Sequence, residues 1–255
     1  MRAESTPAVL AYDRRAEEYA QLLGSMEATA EADRELIGRW ADSLCASPSD
    51  VPGRYAARSA SDAALPGVRS AGEAHGERLI LDVGCGPGHW SAWLDERLAG
   101  RKSDAPQARA EGAAARIPPA LRVEGIDPAP AFVSLAQSRF PGTAFRLGRA
   151  EELGVPDASV HGVLAWYSLI HTAPEAVPAA LAEFARVLVP GGSLLLGFFE
   201  GPRREPFGHA VAQAWYWPVP ELAALVEAAG FAVEEAHTRQ DPGVRAHGAL
   251  LARRV

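Results

Sequence analysis

The sequence predicts a doubly wound α/β fold: a mainly parallel, seven-stranded sheet covered by helices on both faces and preceded by an N-terminal helical cap. Three observations carry this. From Arg78 onward, short apolar runs alternate with stretches of helical spacing, the rhythm of βαβ units. The runs are close to continuously apolar, as expected of strands buried on both faces. The first run ends in Gly84-Cys85-Gly86-Pro87-Gly88, where open sheets of this kind bind ligands beyond the carboxyl ends of their strands.

Taken in order, Val9-Leu10, Tyr12, Ala16, Tyr19 and Leu22-Leu23 recur at helical spacing, with Gly24 placed to stop the helix. Leu36-Ile37, Trp40 and Leu44 mark a second helix. From Cys45 to Gly76 the chain is rich in Ala, Ser, Pro, Gly and Arg and reads as a linker, so residues 1–76 are expected to form a cap plus flexible linker and residues 77–255 the main domain. Leu79-Ile80-Leu81-Asp82-Val83 is a strand, and Trp90, Trp93-Leu94 and Leu98 space a helix beginning at His89. An exposed insertion is expected over 100–120. Strands follow at 121–127, 144–147, 161–167, 193–199, 231–236 and 248–252, with helices at 131–140, 174–188 and 220–229. Pro190-Gly191-Gly192 is expected to end a helix and turn the chain.

The chain has 255 residues, enough for one sizeable domain with a small appendage. A formal charge of −7 argues against an intrinsic affinity for nucleic acid or anionic membrane and points to a small-molecule partner. Only two cysteines occur, Cys45 and Cys85, in unrelated contexts, so neither a disulfide framework nor a zinc site is expected. The first residues lack the apolar run of a signal peptide and no window reaches bilayer-spanning length, so a cytoplasmic location is expected.

A glycine-rich loop alone is a weak signal for nucleotide binding. Two details sharpen it. His89 stands where a dinucleotide fingerprint would place its third glycine, and Asp82 precedes the loop, where a carboxylate repels pyrophosphate but attracts a cationic ligand. The run from Leu79 to Gly88 resembles motif I of the class I S-adenosylmethionine-dependent methyltransferases. That resemblance implies a Rossmann-like methyltransferase fold and S-adenosylmethionine as cofactor, with S-adenosylhomocysteine as product. It extends over Gly125-Ile126-Asp127-Pro128-Ala129-Pro130, which makes Asp127 the acid that binds the ribose hydroxyls and puts Phe132 against the adenine. Gly148-Arg149-Ala150-Glu151 resembles the family's turn after the third strand, with Arg149 replacing the usual acid. Leu164-Ala165-Trp166-Tyr167-Ser168 resembles the end of the fourth strand, and the segment 185–194 matches the approach to the fifth. The cofactor-binding set so implied is Tyr19, Asp82, Gly84, Cys85, Gly86, Asp127, Pro128, Phe132, Ala150, Glu151, Ala165 and Trp166.

Methyl transfer from a sulfonium is an in-line displacement in which the protein aligns the reactants and excludes water. A general base is required only when the acceptor must lose a proton. His171, beyond the fourth strand, and His209, after the fifth, are the candidate bases, each equally readable as a loop histidine. Trp215-Tyr216-Trp217 reads either as an irregular segment packed on the core or as a wall of the acceptor site. Tyr12 either packs the cap or touches the cofactor. The function so expected is methylation of an oxygen, nitrogen or carbon of a small molecule, such as one of secondary metabolism. The alternatives are a cofactor-binding protein with a regulatory or partner role and no catalysis, a protein or nucleic-acid methyltransferase, and a nicotinamide oxidoreductase, which Asp82 disfavours.

Overall fold

A computed structural model describes residues 6–45, 78–103 and 121–255. The expected linker and insertion lie outside the described residues, except that Cys45 closes one helix and 100–103 continue another.

The N-terminal periodicity forms two helices rather than one. Thr6 caps α1 (Pro7–Arg14), its Oγ1 accepting from the Val9 N–H at 3.3 Å, and Pro7 occupies the first turn, where its missing N–H costs nothing. Arg15 leaves helical geometry (φ −116°, ψ 18°) before α2 (Ala16–Leu23) begins. Tertiary contacts hold the break: Asp13 accepts from the Ala131 N–H at 2.7 Å, and the Arg15 guanidinium donates to the Ala210 carbonyl at 2.8 Å. After a short 3-10 turn, α3 (Glu31–Cys45) buries Ile37, Trp40, Ala41 and Leu44, the face read from the sequence.

The sheet-forming part runs β1 (Arg78–Val83), α4 (His89–Ser103), β2 (Leu121–Asp127), α5 (Pro130–Arg139), β3 (Ala144–Leu147), β4 (Val160–Trp166), α6 (Val177–Val187) and β5 (Leu188–Glu200). It closes with β6 (Glu205–Gly208), β7 (Gln213–Trp217), α7 (Val219–Ala228), β8 (Phe231–Arg239) and β9 (His247–Arg254). Strands β3-β2-β1-β4-β5 lie parallel in that order, β9 pairs antiparallel with β5, and β8 with β9. The strand order reverses between β1 and β4, the topological switch point at which such sheets bind ligands.

Seven of these strands are the expected ones; β6 and β7 bring the sheet to nine. Trp215-Tyr216-Trp217 is therefore not irregular: it lies in β7, which pairs antiparallel with β6 and, through Tyr216 and Trp217, in parallel with Phe199 and Glu200 of β5. Pairing of β4 with β5 ends at Trp166–Gly197, so β7 takes the edge of β5 that β4 has left. The hairpin thus stands directly beyond the carboxyl end of β4. The segment Pro190-Gly191-Gly192 also differs from expectation. The helix ends at Val187 and β5 starts at Leu188. Register then jumps from Val160↔Leu188 to Gly162↔Ser193, so residues 189–192 bulge out of the strand around Gly191, whose φ is +77°.

Side chains alternate across β5 and divide the core. Leu194 and Leu196 join Leu81, Val163, Leu181 and Phe184 beneath α6 and α7. Leu195 faces Ile37, Trp40, Ile80, Leu94 and Leu164 beneath α3 and α4. Helix α3 is fixed by more than apolar contact: the Trp40 indole N–H donates to Ser193 Oγ at 3.0 Å. Gly162 supplies the close approach, since a Cβ there would come within 2.7 Å of Leu44 Cδ1.

Candidate functional site

The loop after β1 turns through left-handed backbone at Gly84 (φ +73°), Gly86 (φ +54°) and Gly88 (φ +86°), a path closed to most other residues. The Gly84 and Cys85 N–H groups both donate to the Ile126 carbonyl, at 2.7 and 3.1 Å, tying the loop to the end of β2. The glycines do different jobs. A Cβ on Gly84 would lie 2.4 Å from Ser168 Cβ and one on Gly88 would meet Ala136 and Phe145, whereas one on Gly86 would meet nothing within 4 Å. Gly86 is the open face of the loop.

Asp127 joins this loop to the next. One carboxylate oxygen accepts the Gly86 N–H at 2.9 Å and the other the Ala129 N–H at 2.8 Å. Asp82 lies beneath the loop, 2% exposed, and accepts from the Ser91 hydroxyl at 2.6 Å. Burial pushes the Asp82 carboxyl up to about 7 despite the Ser91 bond, and the charge of Asp127 adds to the rise. Burial likewise takes Asp127 to about 6, against the two backbone N–H groups that favour its anion. Among the described residues no basic side chain forms an ion pair with either.

The chemistry of this donor set fits S-adenosylmethionine. Two buried carboxylates without a counter-cation suit a ligand that brings positive charge, and Asp127 retains lone pairs for a diol. The Ser168 hydroxyl, buried against the loop, also has no hydrogen-bond partner.

The other expected cofactor residues divide into groups. Tyr19 and Phe132 are together: Phe132 is buried, 5.4 Å from the Tyr19 ring and 5.5 Å from that of Tyr12, so α1 and α2 lie as a roof over α5 beside Asp127. Pro128 is half-buried just before α5, the helix this roof covers. Cys85 is buried against Val133, Ala136 and Phe145, and burial raises its thiol well above the ordinary range. The turn at 148–152 docks on β2 through Gly148 N–H to the Asp127 carbonyl at 3.2 Å. Within that turn Ala150 packs on the core and Glu151 is exposed, 3.5 Å from Arg149. At the end of β4, which runs alongside β1 from the Asp82↔Leu164 pairing, the Ala165 side chain is wholly within the core and Trp166 packs on the opposite face against Gly197.

The two histidines come together, with rings 5.2 Å apart. His171 is fully engaged. Its Nδ1 lies 2.8 Å from the Gln213 carbonyl, which can only accept, so Nδ1 carries the proton and Nε2 accepts from the Tyr12 hydroxyl at 2.9 Å. His209, in the turn between β6 and β7, has a buried Nδ1 without a partner. Burial, with the positive charge of Arg245 adding to it, pushes it down to about 4, so it is neutral at physiological pH. Of Trp166 and Tyr167, strand alternation leads one to expect that one points into the cleft and the other packs against a helix; Tyr167 follows the last residue of β4. It has a left-handed backbone (φ +57°), rare for a tyrosine, and its hydroxyl bonds to His247. Among the described residues no cluster of side chains is arranged to hold a metal, and no helix is long and apolar enough to cross a membrane.

Comparison with known proteins places this geometry. A family model described as a methyltransferase domain matches residues 108–192. The chain is 29% identical over 142 residues to a malonyl-[acyl-carrier protein] O-methyltransferase of Serratia marcescens, covering 56% of this chain and 46% of that one. It is 31% identical over 157 residues to a demethylmenaquinone methyltransferase of Deinococcus radiodurans, covering 60% and 56%. The chain thus spans about half the length of these curated relatives. Among solved structures, magnesium protoporphyrin IX methyltransferase from Synechocystis, with bound S-adenosylmethionine, superposes with a TM-score of 0.61 at 14% identity over the whole of both chains. A 1,6-didemethyltoxoflavin N1-methyltransferase from Burkholderia thailandensis, with bound 1,6-didemethyltoxoflavin and S-adenosylhomocysteine, gives 0.55 at 20% identity, covering 100% of this chain and 92% of that one. At these identities the likeness shows the fold.

Proposed function

We propose that this chain, which belongs to the class I S-adenosylmethionine-dependent methyltransferase family, transfers a methyl group from that donor to a small-molecule acceptor. When bound, the donor supplies an electrophilic methyl group on a sulfonium. The observation that carries the reading is the pair of buried, cation-free carboxylates, Asp82 and Asp127, held on the glycine loop at the switch point of the sheet.

Each residue of the site has a part in this reading. Asp127 accepts the ribose hydroxyls while the Gly86 and Ala129 N–H groups fix its orientation. Asp82 supplies negative charge beneath the cationic end of the ligand. Gly86 lets the ligand approach the backbone. Tyr12, Tyr19 and Phe132 exclude water from above. His171, with both nitrogens occupied within the protein, positions the roof and the hairpin. His209, with Nδ1 unpartnered and the ring neutral, is the group available to hydrogen-bond and orient an oxygen or nitrogen acceptor. The relatives' names, an O-methyltransferase and a quinone-pathway methyltransferase, support a small molecule or a carrier-bound small molecule as acceptor.

The test is calorimetric titration of S-adenosylhomocysteine into the wild type and Asp127→Ala. Binding to the wild type and a loss of at least tenfold in the variant is expected. Equal affinities would sink the site assignment.

A further inference from the structure

The β6–β7 hairpin gathers aromatic rings beyond the carboxyl ends of β4 and β5. Phe207 and Tyr216 stack with centroids 4.1 Å apart. Phe199 meets Phe207 edge-on at 5.3 Å and Tyr167 at 5.2 Å. His209 lies 5.9 Å from Phe199, and on its other side touches His171. All six rings are half-buried. A cluster of aromatic rings left short of full burial suits a planar ligand.

A cation stands at its edge. The Arg245 guanidinium lies 4.7 Å above the Phe207 ring and is steadied by a 3.2 Å bond from Nη2 to the Gly208 carbonyl. It enters no ion pair among the described residues, unlike Arg204, which lies over Trp217 and faces Glu221 at 3.8 Å. A guanidinium over an aromatic ring, with one N–H bonded to a carbonyl, keeps further N–H donors for a planar anion. The patch is joined to the proposed methyl-donor site by a short chain of contacts: His209 to His171, His171 to Tyr12, and Tyr12 to Phe132.

We infer that this patch is the acceptor subsite and that the acceptor is a planar aromatic anion, its ring packed beside Phe207 and Phe199 and its acidic group at Arg245. The inference rests on the methyltransferase reading above and adds the chemical class of the substrate. A cationic amine is disfavoured by Arg245, and a saturated or uncharged molecule would leave either the rings or the guanidinium unmatched.

The experiment uses 2-naphthoate as the probe, with 2-naphthamide (same rings, no charge) and cyclohexanecarboxylate (same charge, no aromatic ring) as comparators. Each is titrated with and without S-adenosylhomocysteine, and tryptophan fluorescence is read, since Trp215 and Trp217 lie in β7. Naphthoate is expected to bind at least about tenfold more tightly than either comparator, a difference of about 1.4 kcal/mol. Arg245→Gln, a change at an exposed position, is expected to erase the preference over the amide. Phe207→Leu is expected to weaken both naphthalene probes. Equal binding of the three probes, or an unchanged preference in Arg245→Gln, overturns the inference. Calorimetry with S-adenosylhomocysteine separates the two levels. Wild type that binds it but shows no naphthoate preference loses only the acceptor class, whereas wild type that does not bind it loses the methyltransferase reading as well.

Discussion

Tyr12 and His171, 159 positions apart in the sequence, share a 2.9 Å hydrogen bond that pins the N-terminal roof to the loop after β4. The bond is directional: the Gln213 carbonyl holds the His171 proton on Nδ1, which leaves Nε2 only the role of acceptor. Tyr12→Phe keeps the ring against Tyr19 and Phe132 and removes this one interaction. A net hydrogen bond of about 1 kcal/mol corresponds to roughly fivefold in an equilibrium. We expect S-adenosylhomocysteine to bind about that much more weakly, by calorimetry, and limited proteolysis to cut the N-terminal helices faster.

The glycine loop separates stability from binding. Gly84→Ala forces a left-handed residue and a contact of 2.4 Å with Ser168, so the fold should lose more than about 1 kcal/mol, measured as a lower denaturation midpoint. Gly86→Ala carries the backbone strain alone, because its Cβ meets no protein atom. Its stability should fall less than that of Gly84→Ala, while its affinity for S-adenosylhomocysteine falls more than its stability accounts for.

Helix α3 belongs to the core of the sheet. Trp40 is 2% exposed and bonded to Ser193, so Trp40→Ala should cost about 3–5 kcal/mol in urea denaturation, the range for removing a large aromatic from a core. A cost below about 1 kcal/mol would show that α3 is only loosely docked.

The two acids give the site a pH signature. Asp82 at about 7 and Asp127 at about 6 lie above their ordinary value of 3.8, so the folded protein holds these protons more tightly than the unfolded chain. Their contribution to stability is therefore complete below the ordinary value and is lost as pH rises through about 6 and then about 7. A cationic ligand favours the ionised pair. The rise in melting temperature caused by S-adenosylmethionine should be larger near about pH 8 than near about pH 5.5, and Asp82→Asn should flatten that difference.

Much of the scaffold was legible before any coordinates. The strands at β1, β2 and β3 and the buried face of α3 followed from local periodicity, because the side chain that must be buried is set by spacing within a single element. The β6–β7 hairpin did not follow. Glu205-Pro206-Phe207-Gly208 has a proline and a glycine in four residues and no apolar alternation, and it forms a strand only because β7 supplies its partner. The break at Arg15 was equally hidden: the helical spacing runs straight through it, and bonds to Ala131 and Ala210 impose it from outside.

The same division runs through the site. By itself the sequence determined the glycine loop, Asp82 before it and Asp127 at the end of β2, since a chain that must turn tightly beside a ligand requires glycine wherever the fold is assembled. Only the tertiary structure decided that Ala165 and Trp166 pack on opposite faces of the sheet, that His171 is occupied while His209 Nδ1 is unpartnered, and that Arg245 meets Phe207. Those relationships join residues from separate elements. They depend on which strand edge β7 fills and where the roof lies, and no local pattern of residues records that.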